Sequence, residues 1–304
     1  MSEYLRNYEL PLPPAARYGS ARIPSPQANQ RVAIFAQAWV PGHAVATVAL
    51  IHGYSEHSGN YARLIREFVE NNFAVITLDL RGHGLSEGPA GHLQGPNLYA
   101  EDAEAVINEI LPLALPNSPF FLWGHSLGGM IGLQLVLRQR LAVAPSAAVF
   151  TSPLLGYPEL SGVQKLLAKL SPLLSKLIPA LPVSHGVSPQ NLSHDEAYLA
   201  RRFEDPLMRR VATPRWFESI KVAMAELQNR AAEFQQLCPT LLMLAGLERI
   251  TNLQEARRFA FRAFAGQKNK VIEFPGMYHE LEKEPEVRAR VVSESIAWFR
   301  SHLK

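Results

Sequence analysis

An α/β fold, with a mostly parallel central sheet, flanking helices and a helical cap insertion, follows from three observations on the sequence. Short apolar runs alternate with segments of helical pattern through the first half of the chain. One run, Phe120-Phe121-Leu122-Trp123, opens through Gly124-His125-Ser126-Leu127-Gly128 directly into Gly129-Met130-Ile131-Gly132-Leu133-Gln134-Leu135-Val136-Leu137, which reads as strand, sharp turn and helix. The alternation then stops after Ser152-Pro153-Leu154 and resumes only at Thr240.

Taken in order, residues up to about Gln30, with prolines at 11, 13, 14, 24 and 26, read as an extended arm. Apolar runs at Ala46–Ile51, Phe73–Leu78, Phe120–Trp123, Ala147–Phe150 and Thr240–Ala245, followed by the mixed segment Lys270–Phe274, predict strands. Helices are expected over Tyr61–Asn71, Leu98–Leu115, Leu127–Gln139, Leu253–Ala265 and Glu286–Leu303. The predicted organisation is a first core portion over 1–153, a helical cap over 154–228 and a second core portion over 229–304.

A serine at a strand-to-helix turn is held in a strained backbone conformation. Glycines two before and two after it remove side chains that would collide with neighbouring elements. Ser126 is therefore the candidate nucleophile. A hydroxyl is a poor nucleophile at neutral pH, so Ser126 requires a histidine to take its proton and a carboxylate to orient that histidine. On such a sheet both should follow later strands, acid before histidine. The turn Gly246-Leu247-Glu248-Arg249 follows the strand ending at Ala245, and Pro275-Gly276-Met277-Tyr278-His279 follows the strand ending at Phe274. Glu248 and His279 complete the candidate triad.

No aspartate occurs after Asp205, so a late acid must be glutamate. The extra methylene moves the carboxylate by about 1.5 Å unless the side chain folds back. Glu273 is the fallback acid, with solvent or Lys270 as its alternative neighbour. The oxyanion needs two donors. The Leu127 N–H follows the nucleophile, and the Tyr54 N–H sits in the loop after the strand Ala46–Ile51. His52 reads as a buried histidine that fixes this loop, and Asp79, Arg81 and His83 read as hydrogen-bonding residues of a tight turn rather than catalysts.

Together, His52-Gly53-Tyr54-Ser55-Glu56-His57, Asp79-Leu80-Arg81-Gly82-His83-Gly84-Leu85-Ser86, Gly124-His125-Ser126-Leu127-Gly128-Gly129, Ala245-Gly246-Leu247-Glu248-Arg249-Ile250 and Tyr278-His279-Glu280 resemble the α/β-hydrolases of the monoacylglycerol lipase and lysophospholipase group. The likeness runs from about Ala46 to His302. It implies the α/β-hydrolase fold, ester hydrolysis, and an alcohol pocket beside Glu56. The chain departs from the group's pattern in three places. Glu248 stands where aspartate is usual. Asn60 stands where members that recognise glycerol often carry arginine, and Glu282 where they carry a second histidine. Through the resemblance, Glu56, Asn60 and Glu282 become candidate substrate-binding residues, and the two departures bear on glycerol selectivity rather than on ester hydrolysis.

The implied reaction releases a fatty acid from a monoacylated lipid, most directly a monoacylglycerol, through an acyl-enzyme. A lysophospholipase, a short-chain carboxylesterase or thioesterase, and a catalytically silent lipid-binding relative are the rivals. The absence of a Gly-x-Gly-x-x-Gly, a P-loop or a metal-ligand cluster predicts no cofactor and no metal. Net charge is +3, and lysines and arginines are scattered except around Arg201, Arg202, Arg209 and Arg210, which argues against nucleic acid as a partner. The single cysteine, Cys238, allows no intrachain disulfide and reads as a packing residue. An N-terminus without an apolar signal core, and no apolar run long enough to span a bilayer, predict a cytoplasmic protein with peripheral membrane association as a further expectation.

That expectation rests on residues 164–179 of the insertion. Leucines 166, 170, 173, 174 and 177 recur at helical spacing, with Lys165, Lys169 and Lys176 off the stripe. Interfacial docking, and a cap helix whose leucines pack down on the core or line an acyl pocket, are both consistent with this pattern. Pro172 predicts a break or kink into two short helices. Further on, Ser193 with Glu196 predicts a capping box, and Asp195, Arg201, Arg202 and Asp205 read as solvated or salt-bridged.

Overall fold

The computed structural model describes residues 16–27, 32–159, 162–264 and 268–303. In chain order the core elements are β1 (Arg17–Pro24), β2 (Ala33–Val40), β3 (Ala46–Ile51), α1 (Ala62–Glu70), β4 (Phe73–Leu78), α2 (Leu98–Ala114), β5 (Phe120–His125), α3 (Leu127–Arg138) and β6 (Ala147–Thr151). An insertion follows, with α4 (Gly162–Leu177), β7 (Val183–Ser184), α5 (Glu196–Glu204), β8 (Val211–Ala212) and α6 (Pro214–Asn229). The core resumes with β9 (Thr240–Ala245), α7 (Leu253–Ala263), β10 (Lys270–Phe274) and α8 (Arg288–Arg300).

Eight strands form one sheet in the order β1-β2-β4-β3-β5-β6-β9-β10. The six strands from β4 to β10 run parallel, and β2 pairs antiparallel with β4 and with β1. Parallel strands lie under helices on both faces, which is why their sequences are continuously apolar. Alternate residues serve opposite faces. Ala49 and Ile51 of β3 and Phe120 and Leu122 of β5 join one buried cluster with α2, α3 and α6. Val48, Leu50, Phe121 and Trp123 join the other, with α1 and α8. The register pairs Ile51 with Gly124, and His125 with Thr151, so the carboxyl ends of β3, β5 and β6 come level.

Four described strands stand outside those expected from sequence: β1 and β2 of the main sheet, and the short β7 and β8 of the insertion. The arm around Pro24 is extended as predicted, but residues 17–24 pair fully with β2 as the sheet's first edge strand. Residues 1–15, with prolines 11, 13 and 14, lie outside the described residues. The last helix begins at Arg288, two residues later than expected.

In the insertion, Pro172 sits inside a continuous α4 and does not divide it. Proline removes the N–H that would meet the Ala168 carbonyl, and the Ser171 hydroxyl donates to that carbonyl instead, at 2.7 Å. The cap of α5 is Asp195, whose carboxylate accepts from Tyr198 N–H, rather than Ser193. The Ser193 hydroxyl accepts from the Asp195 N–H, which removes it from a capping box.

The segment after β4 is a hydrogen-bonded turn. Asp79 accepts from Ser58 N–H, the Ser58 hydroxyl and Leu85 N–H. Arg81 makes a two-pronged pair with Asp102 of α2, at 2.5 and 2.7 Å, with both side chains buried. Cys238 is half-buried before β9, and burial pushes its thiol up to about 12. Removing one partner of a buried ion pair strands the other, at about 3–5 kcal/mol. Asp102→Ala is therefore expected to lower the unfolding free energy by about that amount, read from the urea midpoint. An unmoved midpoint would contradict the assignment.

Candidate active site

Ser126 closes β5 and caps α3 with φ 51° and ψ −114°, a positive-φ conformation that costs a non-glycine residue about 1–3 kcal/mol. The flanking glycines explain how the chain tolerates it. A Cβ at Gly124 would lie 2.5 Å from the Gly128 carbonyl oxygen, and one at Gly128 would lie 2.1 Å from the Ile51 carbonyl oxygen. Gly53 runs alongside, since a Cβ there would stand 3.4 Å from that of Ser126. The loop bearing Tyr54 is thus brought beside the serine.

His279 lies in the loop after β10, and Glu248 in the turn after β9. The imidazole Nδ1 meets the Glu248 Oε2 at 2.7 Å, with both side chains buried. The other oxygen, Oε1, accepts from the N–H groups of Ile250 and Thr251 at 2.7 and 3.0 Å. The longer side chain therefore folds back over its own turn, which resolves the reach expected of a glutamate. Burial alone would push this carboxyl up, but the facing His279 and the hydrogen bonds from Ile250 and Thr251 hold it below the usual range. Burial alone would lower His279, and the Glu248 charge and hydrogen bond overcome this and raise it. With Nδ1–H donated to Glu248, Nε2 is left as the basic nitrogen.

The strand end after β6 ties serine and histidine together. Ser152 donates through its hydroxyl to the His279 carbonyl at 2.8 Å, and Leu154 N–H donates to the Ser126 carbonyl at 2.9 Å. His125 packs its ring 4.7 Å from that of His279. Burial, helped by His279, pushes His125 down to about 3, so it stays neutral. His52 behaves likewise, lowered to about 3 by burial, with Nε2 accepting from Leu80 N–H and Nδ1 meeting the Gly53 carbonyl. It fixes the loop.

Ser126 and His279 border a cavity of about 440 Å³. Its walls include Gly53, Tyr54 and Glu56 from the core and Leu167, Leu174, Trp216 and Phe217 from the insertion. Glu56 is buried, with Oε1 accepting from Gly53 N–H and from the Tyr61 hydroxyl. Asn60 and Glu282, the other two candidate substrate contacts, stand outside the cavity wall. Asn60 accepts from His57 N–H to cap a short turn. Glu282 is buried behind the wall, 3.6 Å from His125 Nδ1, and burial raises its carboxyl. Glu273 pairs with Arg257 on the surface, away from His279.

Three further residues reach this region. Arg202 enters the cavity wall and pairs with Glu280. Asp205 holds His57 Nε2 at 2.9 Å. Both come from α5 or its C-cap, whose charges read as solvated or salt-bridged; the structure makes these two salt-bridged, with partners the sequence does not name. Glu284 accepts from Tyr278 N–H and pairs with His194, holding the loop just before His279.

The family model described as serine aminopeptidase, S33 matches residues 42–286. Monoacylglycerol lipase of Mycolicibacterium smegmatis is 28% identical over 90% of this chain and 94% of its own length. Phospholipase YtpA of Bacillus subtilis is 28% identical over 82% of this chain and 93% of its own. The crystal structure of Paleococcus ferrophilus monoacylglycerol lipase matches with a TM-score of 0.73 at 26% identity, covering 94% of this chain and 99% of that one.

If His279 is the base, activity falls with decreasing pH through an apparent value above the ordinary 6.5, because Glu248 favours the cation. Glu248→Gln is expected to lower turnover at least about tenfold and to move this acid limb to lower pH. A full kcat/KM–pH profile of both proteins reads the two effects, and a variant with wild-type turnover would place the acid elsewhere.

Proposed function

Because this chain belongs to the serine aminopeptidase S33 family of α/β-hydrolases and is a carboxylic ester hydrolase of the lipase and esterase kind, we propose that it releases fatty acid from monoacylglycerols by an acyl-enzyme route. Ser126 attacks the ester carbonyl while His279 Nε2 takes its proton. Glu248 holds the imidazole and stabilises its cation. The Tyr54 and Leu127 N–H groups receive the oxyanion. His279 then passes the proton to the leaving glycerol. A water activated by the same nitrogen attacks the acyl-enzyme and frees the acid.

The observation that carries the reading is the buried His279–Glu248 hydrogen bond at a cavity that also reaches Ser126. An acyl chain fits the wall supplied by Leu154, Leu167, Leu174, Trp216 and Phe217. Residues 154–228 act as the cap that excludes water during reaction. A lysophospholipid is the second substrate to test, since one relative is a phospholipase.

The cap also supports a membrane contact. Val163, Leu166, Leu170, Leu173 and Leu177 form an exposed stripe along α4, while Leu167, Ala168, Ser171 and Leu174 face the cavity. Lys165 and Lys169 flank the exposed stripe and suit lipid phosphates. No described helix is long and apolar enough to cross a membrane, so the contact proposed is interfacial.

Ser126→Ala is expected to abolish both fatty-acid release and labelling by a fluorophosphonate probe. Labelling that survives this change would remove Ser126 from the mechanism. Replacing Leu166, Leu170 and Leu173 together by serine should weaken co-sedimentation with anionic vesicles at least about tenfold, and unchanged binding would sink the docking face.

A further inference from the structure

Beside Ser126 the cavity wall carries charges that the proposed acyl transfer does not use. Glu56 and Glu280 are 1% and 2% exposed, and both border the cavity. Arg202 reaches them from α5. Its Nη1 lies 3.2 Å from Oε1 of Glu280, 3.7 Å from Oε2 of Glu56 and 3.1 Å from the Tyr198 hydroxyl. Immediately behind, Lys283 stands 3.8 Å from Glu282. Three carboxylates thus face two cations, with Arg202 shared between two of them. Burial works against the charge on Glu280, but Arg202, with Lys283 beyond it, holds its carboxyl below the usual range.

The second observation concerns hydrogen bonding. Oε2 of Glu56 and Oε2 of Glu280 make no hydrogen bond of standard geometry among the described residues, although both are buried; Arg202 Nη1 stands 3.7 Å from the first, and the Tyr198 hydroxyl lies beside Glu280. Leaving a buried acceptor unmet costs about 1–3 kcal/mol, more when it is charged. A ligand that brings donors here removes that cost. A phosphate brings more negative charge beside Glu56 and Glu280, whose shared cation, Arg202, is already paired with both.

We propose that Glu280, braced by Arg202 alongside Glu56, selects leaving alcohols that donate hydrogen bonds through neighbouring hydroxyls and rejects those that carry a phosphate. The inference rests on the ester-hydrolase reading above. It makes Glu280 a specificity residue, supplied by the position directly after the candidate base. It also makes the insertion part of head-group choice, because Arg202 is its residue.

Three substrates of one acyl chain test it: a 1-monoacylglycerol, the same compound with both free hydroxyls O-methylated, and the corresponding lysophosphatidic acid. Fatty-acid release gives kcat and KM for wild type and for Glu280→Gln, with a thermal melt to confirm folding. Wild type should prefer the monoacylglycerol to each of the others by at least about tenfold. Glu280→Gln should shrink the preference over lysophosphatidic acid about tenfold, chiefly through KM for the monoacylglycerol. Equal rates on the methylated compound and its parent would overturn the proposal with wild type alone, whether or not the variant folds. Ratios unmoved by Glu280→Gln would overturn the role of Glu280 only. No release from any of the three by wild type would overturn the monoacylglycerol reading itself, and this inference with it.

Discussion

The first turn of α3 lies against the ends of β3 and β5 so closely that neither Gly124 nor Gly128 has room for a Cβ. This crowding dictates the rest of the site. It forces the residue between strand and helix into a positive φ, and a side chain in that conformation projects away from both elements. The loops after β3, β6, β9 and β10 then have a fixed point to gather around, because parallel strands end at a common level. Ser152 and Leu154 tie the histidine loop and the serine turn to one strand end. Displacing α3 by the width of a methyl group would disturb all of these together.

Much of this was legible in the sequence because it is local. A strand, a turn and a helix written consecutively leave little freedom, and the positions of Glu248 and His279 just past apolar runs follow from the same logic. What was not legible depends on partners distant in the chain. Arg202 and Asp205 read as solvated or salt-bridged, and their partners, Glu280 and His57, are far away in sequence and come to meet them only in the fold. Pro172 looks like a break until Ser171 takes up the carbonyl it leaves free. The strand at residues 17–24 is mostly exposed, so it carries no strong apolar alternation to announce itself.

The insertion is fastened to the core unevenly. At α5 and just beyond it the contacts are polar and specific: Arg202 with Glu280, Asp205 with His57, and the Ser55 hydroxyl with the Arg209 carbonyl. At α6, Trp216, Ile220, Met224 and Leu227 enter the same buried cluster as the sheet. α4 carries its widest apolar stripe outward, and so depends least on the core. A segment held firmly at one side and loosely at the other has a natural axis for movement, which places any opening on the α4 side.

Cys238 gives this architecture an internal reporter. It sits half-buried where the chain returns from the insertion into β9, and its thiol is pushed up to about 12, so the thiolate that reacts is scarce in the folded state. A maleimide or disulfide reagent would then count the moments when this junction comes apart, since exposure restores an ordinary thiol. With no second cysteine to compete, the labelling rate becomes a clock for local opening at the seam where insertion and sheet rejoin.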